Sequence, residues 1–156
     1  MINEIEILKS LGFPGHPGIL KLYEVHETML SIFLVMELIE GGELFTRLKE
    51  KKNYSEKDCS IMLRRIIEPL IYLHQKGIIH RDLKPENLIL RSKEQEYDIV
   101  IADFGLAQLY EKKPFIHVRC GTPGYCAPEI LNYQNGNPLY DPRCDVFSLG
   151  CIFYHM

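Results

Sequence analysis

The sequence lacks the features that mark a membrane-spanning, secreted or nucleic-acid-binding chain. It has no apolar run of about 18 residues, the length that a transmembrane helix needs, so we expect no membrane span. Its first residues, MINEIEILKSL, do not have the basic-then-apolar layout of a signal peptide. Lys and Arg number 18 and Asp and Glu 21, for a net charge of −3. That balance gives no reason to expect nucleic acid or an anionic membrane as a partner.

No Cys-x-x-Cys pair occurs among the five cysteines, which are an odd count. Zinc sites and disulfide frameworks usually show such pairs or an even set. We therefore interpret the cysteines as free thiols in a reducing compartment and expect a cytoplasmic or nuclear protein. The cysteines are Cys59, Cys120, Cys126, Cys144 and Cys151.

The composition that is present is that of one ordinary globular domain. Of the 156 residues, 46% are hydrophobic and 25% are charged, without repeats or low-complexity segments. The ends differ from those of a complete domain, because a helical pattern begins at once and residues 145–156 form an apolar run without a helix cap. We therefore expect a fragment, or a chain that depends on missing partners for burial.

Hydrophobic spacing predicts helices and short strands, and hence an α+β fold. We expect a helix over 2–11, hairpin strands over 19–27 and 30–38, and a short helix over 43–52. Ser55 and Asp58 resemble a capping box that opens a long helix, and Gly77 ends it. Pro69 lies inside this helix, where we expect a bend.

The second half of the sequence predicts a small β-ribbon followed by loops and helices. Short β-runs lie on both sides of polar turns after residue 77, and such a ribbon carries functional groups on its loops. We expect a loop from 106 to 126, a short helix that begins with Pro128, and a buried helix that begins near Asp145.

Three polar motifs follow one another in this half. They are HRDLKPEN at 80–87, ADFGLA at 102–107 and GTPGYCAPEI at 121–130. Their order and spacing resemble the catalytic loop, metal-binding motif and substrate-site segment of eukaryotic serine/threonine protein kinases. Residues 33–45, FLVMELIEGGELF, resemble the calcium/calmodulin-dependent group in particular.

The resemblance implies a truncated two-lobe protein kinase fold, with a mostly helical large lobe and part of the antiparallel sheet of the small lobe. It begins inside helix C and stops inside helix F of that fold. Residues 1–38 would be the remainder of the small lobe, 39–43 the hinge and 44–156 the first part of the large lobe. Because the glycine-rich loop and its lysine are not in the sequence, we expect these residues alone to be a weak or inactive catalyst.

The resemblance also implies ATP and Mg²⁺ as cofactors and gives the catalytic residues their roles. Asp82 would orient the substrate hydroxyl and accept its proton, and Lys84 would place positive charge near the transferred phosphate. Asn87 and Asp103 would be the magnesium ligands, since they offer the oxygen atoms that this ion prefers.

Nucleotide-binding residues follow from the same resemblance. Glu4 matches the helix C glutamate that pairs with the ATP-binding lysine, and Glu6 is the alternative. Met36 corresponds to the gatekeeper, and Glu37 and Ile39 would contact adenine through their backbones. The remaining predicted members of the adenine pocket are Leu44, Leu88 and Ile89.

Protein substrates that carry Ser or Thr are the expected partners. Thr122 would touch Asp82 and Lys84, as in serine/threonine kinases. Glu43 and Glu86 match acidic positions that read basic residues in substrates, and the alternative is that both are exposed glutamates without a role. His155 stands where such kinases often have a third acidic residue, so we expect a basic-directed preference of modest strength.

Regulation is expected to depart from the common pattern. Arg81 usually meets a phosphate carried by the following segment, but residues 106–121 contain no Ser or Thr, and Val118 stands at the usual phosphothreonine position. We therefore expect activation without a phosphothreonine there, and a regulatory segment or calcium sensor outside this chain. The alternative function is a pseudokinase-like binding or scaffold module.

Overall fold

The computed structural model describes residues 2–12, 15–51, 54–135 and 137–156. Its helices are α1 (Ile2–Ser10), α2 (Leu44–Lys51), α3 (Glu56–Gln75), α4 (Pro128–Leu131) and α5 (Arg143–His155). Its strands are β1 (Leu22–Glu27), β2 (Ile32–Met36), β3 (Ile78–Ile79), β4 (Leu88–Leu90), β5 (Ile99–Ile101) and β6 (Gln108–Leu109). The predicted α+β class is confirmed. Within these residues, every helix is too short or too polar to cross a membrane.

Strands β1 and β2 form the predicted antiparallel hairpin, with Leu22 opposite Met36 and Glu27 opposite Ile32. Both strands are shorter than predicted. Residues 19 and 20 leave the hairpin because Ile19 makes a parallel bridge with Ile101 and the Leu20 N–H donates to the Ile101 carbonyl at 3.0 Å. One backbone hydrogen bond still joins Lys21 and Glu37, and the chain then crosses to β4. Tertiary pairing therefore determines where these strands end.

Helix α3 begins with the predicted capping box. The Ser55 hydroxyl accepts from the Asp58 N–H at 3.2 Å, and the Asp58 carboxylate accepts from the Ser55 N–H at 3.0 Å. Gly77 follows the helix with a φ of 70°, a conformation that glycine adopts without strain. Pro69 lies inside the helix and does not end it. Its ring is buried against the backbone of Gly18, where an added Cβ would lie 2.8 Å from the Pro69 Cγ.

Two hydrophobic clusters form the core. The larger one joins α1, α3 and the β4–β5 ribbon, and its fully buried members include Ile7, Met62, Ile66, Leu73, Leu88 and Ile101. The smaller one lies beneath residues 115–140 and includes Phe115, Ile130, Tyr140 and Cys144. The two clusters flank the loop between β3 and β4.

Two small antiparallel ribbons position the polar loops. Strand β4 pairs with β5, which confirms the predicted ribbon, and β3 pairs with β6. Strand β6 lies inside the stretch 106–126 that the sequence predicts to be loop. It is only two residues long, and its partner β3 is distant in sequence, so no local pattern indicates it. The loop over 80–87 thus connects the two ribbons.

Candidate active site

Asp145 of α5 holds the loop over 80–87 through its side-chain carboxylate. Its side chain is fully buried, and it accepts the backbone N–H of His80 at 2.9 Å and that of Arg81 at 2.8 Å. His74 of α3 approaches the same carboxylate at 2.8 Å. Arg81 has a φ of 67°, which is rare for a residue with a side chain. The Asp145 bonds stabilise this unusual turn, which leads directly into Asp82.

Asp82, Lys84 and Thr122 form the polar centre of the site. The Thr122 hydroxyl donates to Asp82 Oδ1 at 2.7 Å, and Lys84 Nζ donates to Asp82 Oδ2 at 2.9 Å. Lys84 also donates to the Thr122 hydroxyl at 3.2 Å. The hydrogen bond to Asp82 raises the pKa of Lys84. The carboxylate of Asp82, the ammonium group of Lys84 and the hydroxyl of Thr122 are therefore in mutual contact.

Asn87 and Asp103 lie on either side of a backbone link between the loop and β5. Ala102 N–H donates to the Asn87 carbonyl at 2.9 Å, and Asn87 Nδ2 donates to the Asp82 carbonyl at 2.9 Å. Because the amide nitrogen is used in this way, the Asn87 side-chain oxygen is the atom left to accept or coordinate. Asp103 is exposed and receives the Gly105 N–H on one carboxylate oxygen. These oxygens fit a hard divalent cation such as Mg²⁺.

His80 is fully buried beside this centre and is neutral. Its Nε2 lies 3.1 Å from the Ala102 carbonyl, which can only accept, and its Nδ1 receives the Asp82 N–H at 3.3 Å. These partners require hydrogen on Nε2 and a lone pair on Nδ1. Burial lowers the pKa of His80. Its ring also packs edge-on against Phe104, 5.1 Å away between centroids.

Arg81 contacts the 106–121 segment through hydrogen bonds to uncharged groups. Its Nε donates to the Leu106 carbonyl at 2.7 Å and its Nη2 to the Ile116 carbonyl at 2.8 Å. Its Nη1 donates to the His117 carbonyl at 3.1 Å and to the Tyr140 hydroxyl at 2.9 Å. Burial raises the pKa of Tyr140, so this hydroxyl stays neutral. Among the residues that the structure describes, no carboxylate pairs with this side chain.

The predicted nucleotide-binding residues lie at the end of β2, in the connection to α2, at the start of α2, in β4 and in α1. Leu44 and Leu88 are buried, Ile39 and Ile89 are half-buried, and Met36 is exposed. Glu37 is half-buried, and its backbone N–H donates to the Lys21 carbonyl at 2.9 Å. Glu4 lies on α1 and forms no ion pair among the described residues, whereas Glu6 pairs with Lys112 at 2.8 Å.

The predicted substrate-binding glutamates are exposed near the polar centre. Glu43 precedes α2 and forms an isolated antiparallel β-bridge with Ile89 through its backbone. Glu86 lies in the 3-10 turn Pro85–Asn87. His155 stacks near the rings of Phe45 and Tyr125, at centroid distances of 6.3 and 6.0 Å. These side chains are exposed and therefore accessible to a peptide.

Two residues in contact with the site have no signal in the sequence. Tyr140, whose hydroxyl accepts from Arg81, lies in a loop without a recognisable motif. Arg91, directly after β4, donates to Glu37 in the chain after β2. Neither belongs to the three motifs, and both contacts join residues far apart in sequence.

Comparison with known proteins gives a consistent assignment. Residues 1–156 match the family model described as "Protein kinase domain". The chain is 47% identical over 152 residues to human calcium/calmodulin-dependent protein kinase type IV, which covers 97% of this chain and 31% of that protein. It is 44% identical over 151 residues to myosin light chain kinase A of Dictyostelium discoideum, which covers 97% and 49%.

A third relative is a protein named probable myosin light chain kinase, also of Dictyostelium discoideum. It is 45% identical over 154 residues, which cover 99% of this chain and 47% of the relative. The chain thus spans less than half the length of these relatives. With its motifs, its fold and its full-length family match in agreement, the chain belongs to the protein kinase domain family.

Proposed function

We propose that the chain supplies the catalytic centre of a serine/threonine protein kinase, which transfers the γ-phosphate of ATP to protein hydroxyls. The observation that carries this proposal is the contact of the Thr122 hydroxyl with Asp82 at 2.7 Å. It shows that the Asp82 carboxylate accepts a hydrogen bond from an aliphatic alcohol in this site. A substrate Ser or Thr would present the same group, and Asp82 would orient it and accept its proton.

The other polar residues have complementary roles in this proposal. Lys84, next to Asp82, places a positive charge where the transferred phosphate would carry negative charge. Asn87 and Asp103 would hold Mg²⁺ through their side-chain oxygens. When bound, this ion supplies positive charge to the phosphate oxygens of the nucleotide. Asp145 keeps the loop in register through its two backbone contacts.

The proposal also includes the division into lobes and the nucleotide contacts. Residues 1–38 are the remainder of a small lobe, 39–43 a hinge and 44–156 the first part of a large lobe. The backbone of Glu37, two residues before the hinge, and that of Ile39, at its start, receive adenine between Met36, Leu44, Leu88 and Ile89, and Glu4 is the partner for an ATP-binding lysine. Glu43, Glu86 and Thr122 face a protein substrate, with basic residues near the target hydroxyl.

The similarity to a calcium/calmodulin-dependent kinase supports two proposals on regulation and location. A regulatory segment or calcium sensor outside these residues controls the centre. The protein works in the cytoplasm or the nucleus, which its free thiols also favour.

Phosphate transfer by the complete protein that carries this chain tests the function. With labelled ATP and Mg²⁺, we expect transfer to a Ser- or Thr-containing peptide with nearby Arg residues, and little to a Tyr peptide. Asp82→Asn should lower the rate about 10²–10⁴-fold. Asp141→Asn is the matched control, since Asp141 pairs only with the exposed Arg143. Nucleotide binding without transfer in the wild type would instead favour a pseudokinase-like scaffold.

A further inference from the structure

Arg91 occupies a junction of four chain segments at the edge of the proposed adenine site. It directly follows β4, and its guanidinium reaches three different acceptors. Its Nη1 donates to the Glu37 carboxylate, its Nη2 to the Pro17 carbonyl, and its Nε to the Asp98 carboxylate at 3.0 Å. These acceptors belong to the chain after β2, the chain before β1 and the β4–β5 turn. One side chain thus links two small-lobe segments to a large-lobe ribbon.

The backbone around Arg91 contacts the hinge as well. The N–H of Glu40 donates to the Arg91 carbonyl at 3.3 Å, and the N–H of Gly41 donates to the Leu90 carbonyl at 3.0 Å. The Leu90 N–H returns a bond to the Gly42 carbonyl at 2.9 Å. The end of β4 therefore forms a short ladder with residues 40–42. The Glu37–Arg91 pair lies at the other end of the same hinge segment.

Glu37 has no other cation in contact among the described residues. The exposed fraction of its side chain is 14%, and its Oε2 is buried without a hydrogen-bond partner. A carboxylate in this position is stable only with a charged partner, because desolvation without one is unfavourable. Arg suits the place because its planar fork reaches several acceptors at once, whereas Lys offers a single point of charge. The side chain of Glu37 thus serves the Arg91 contact. Because its backbone N–H is used by the Lys21 carbonyl, its own carbonyl is the backbone atom that a ligand would meet.

We propose that Arg91 is a positioning residue for nucleotide binding, which holds the hinge backbone at 37–41 in register with β4 and with the loop at Pro17. This rests on the proposed kinase function, in which that backbone receives adenine. The geometry implies that loss of the Arg91–Glu37 pair loosens the hinge while the Asp82 centre stays intact. The effect should therefore appear in the recognition of the base and much less in the transfer step.

Hydrogen exchange of the complete protein that carries this chain gives a readout that needs no nucleotide. Exchange at the amides of Glu40 and Gly41, which donate to the Arg91 and Leu90 carbonyls, reports opening of the hinge. We expect Arg91→Met and Glu37→Gln each to raise these rates about tenfold. Asp98→Asn is the matched control, because it removes the charge of another partner of the same guanidinium and leaves the hinge contact in place. Its effect should be confined to the turn over 92–98.

Nucleotide affinity gives the second readout. We expect the Kd for ATP to rise about tenfold in both hinge variants, with a smaller change for GTP, so that discrimination between the two bases falls. The KM for a peptide should stay near the wild-type value. The double variant Arg91→Met with Glu37→Gln should be no worse than the more severe single change, because both act on the same ion pair.

Several outcomes would overturn the proposal. Wild-type exchange at the hinge in both variants would do so, as would an equal effect of Asp98→Asn on hinge exchange. If Arg91→Met does not fold, Arg91→Lys and Glu37→Gln decide by the same measurements. If the wild-type protein binds no ATP, the kinase function fails, and hinge exchange still decides whether Arg91 holds this segment.

Discussion

Replacement of Asp145 should destabilise the loop over 80–87, because this side chain accepts two of its backbone N–H groups. The carboxylate has no exposed surface, and it is the acceptor for the backbone N–H groups of His80 and Arg81, at 2.9 and 2.8 Å. In Asp145→Ala both N–H groups lose their acceptor inside the protein. A buried donor without a partner costs about 1–3 kcal/mol, so the free energy of unfolding should fall by about 2–6 kcal/mol.

The isosteric variant Asp145→Asn separates charge and hydrogen bonding from volume. Its single amide oxygen can accept from only one of the two N–H groups, that of His80 or that of Arg81. Its NH₂ group then faces the other N–H, so that two hydrogen-bond donors point at each other. We expect a loss of about 1–3 kcal/mol, smaller than for alanine. Because Arg81 holds a φ of 67° only with support from this contact, Asp82 should also lose its position. Phosphate transfer should therefore fall further than the unfolded fraction explains.

Urea unfolding of both variants, with unchanged slopes, measures these losses. Asp141→Asn is the control on the same side of α5. Its partner Arg143 has an exposed side-chain fraction of 87%, so its ion pair should contribute less than about 1 kcal/mol. The reasoning fails if Asp145→Asn lies within about 0.5 kcal/mol of wild type, or if Asp141→Asn is equally destabilising.

Two further predictions concern pH and packing. The pKa of His80 is lowered by burial, so the unfolded state binds the proton first, and stability should be lost as pH falls below 6.5, by up to about 1.4 kcal/mol per pH unit. The free energy of unfolding, measured between about pH 7.5 and 5.5, should show this dependence on pH. His80→Phe should flatten the dependence, and an unchanged slope in that variant would contradict the assignment. Gly41→Ala should destabilise by about 1–3 kcal/mol, because its Cβ would lie 2.2 Å from the Leu90 carbonyl oxygen. The helical control Gly150→Ala has open space and should stabilise by up to about 1 kcal/mol, and equal effects of the two changes in thermal unfolding would refute the steric argument.

Local patterns predicted the parts of the fold whose contacts are local. The capping box of Ser55 and Asp58 joins residues three apart, and its hydrogen bonds follow from the residue types alone. The glycine that ends α3 and the hairpin of β1 and β2 are likewise indicated by residues that lie close together in sequence. The bounds of the strands were less predictable, because Ile19 pairs with Ile101, and no pattern near Ile19 indicates that partner.

The candidate site divides in the same way. The polar centre follows from the family resemblance that the three motifs carry, and the structure brings Asp82, Lys84 and Thr122 into contact. The contacts of Arg91 have no such signal. Arg91 lies 54 positions from Glu37 and 74 from Pro17 in sequence, and an arginine after a strand has no pattern that names such partners. The role of Arg91 therefore emerges only from its tertiary contacts.

Arg81 makes hydrogen bonds to the 106–121 segment, which contains no threonine that could carry the expected phosphate. A guanidinium has five N–H donors, and the contacts with three carbonyls and the Tyr140 hydroxyl engage four of them. In the family pattern a phosphate supplies those acceptors, but here the 106–121 segment supplies them through its own backbone and Val118 packs against the smaller core cluster. An anion that approached Arg81 would first have to displace these carbonyls. The position of the segment therefore depends on packing that is present before any modification, which supports the prediction that activation does not require a phosphothreonine there.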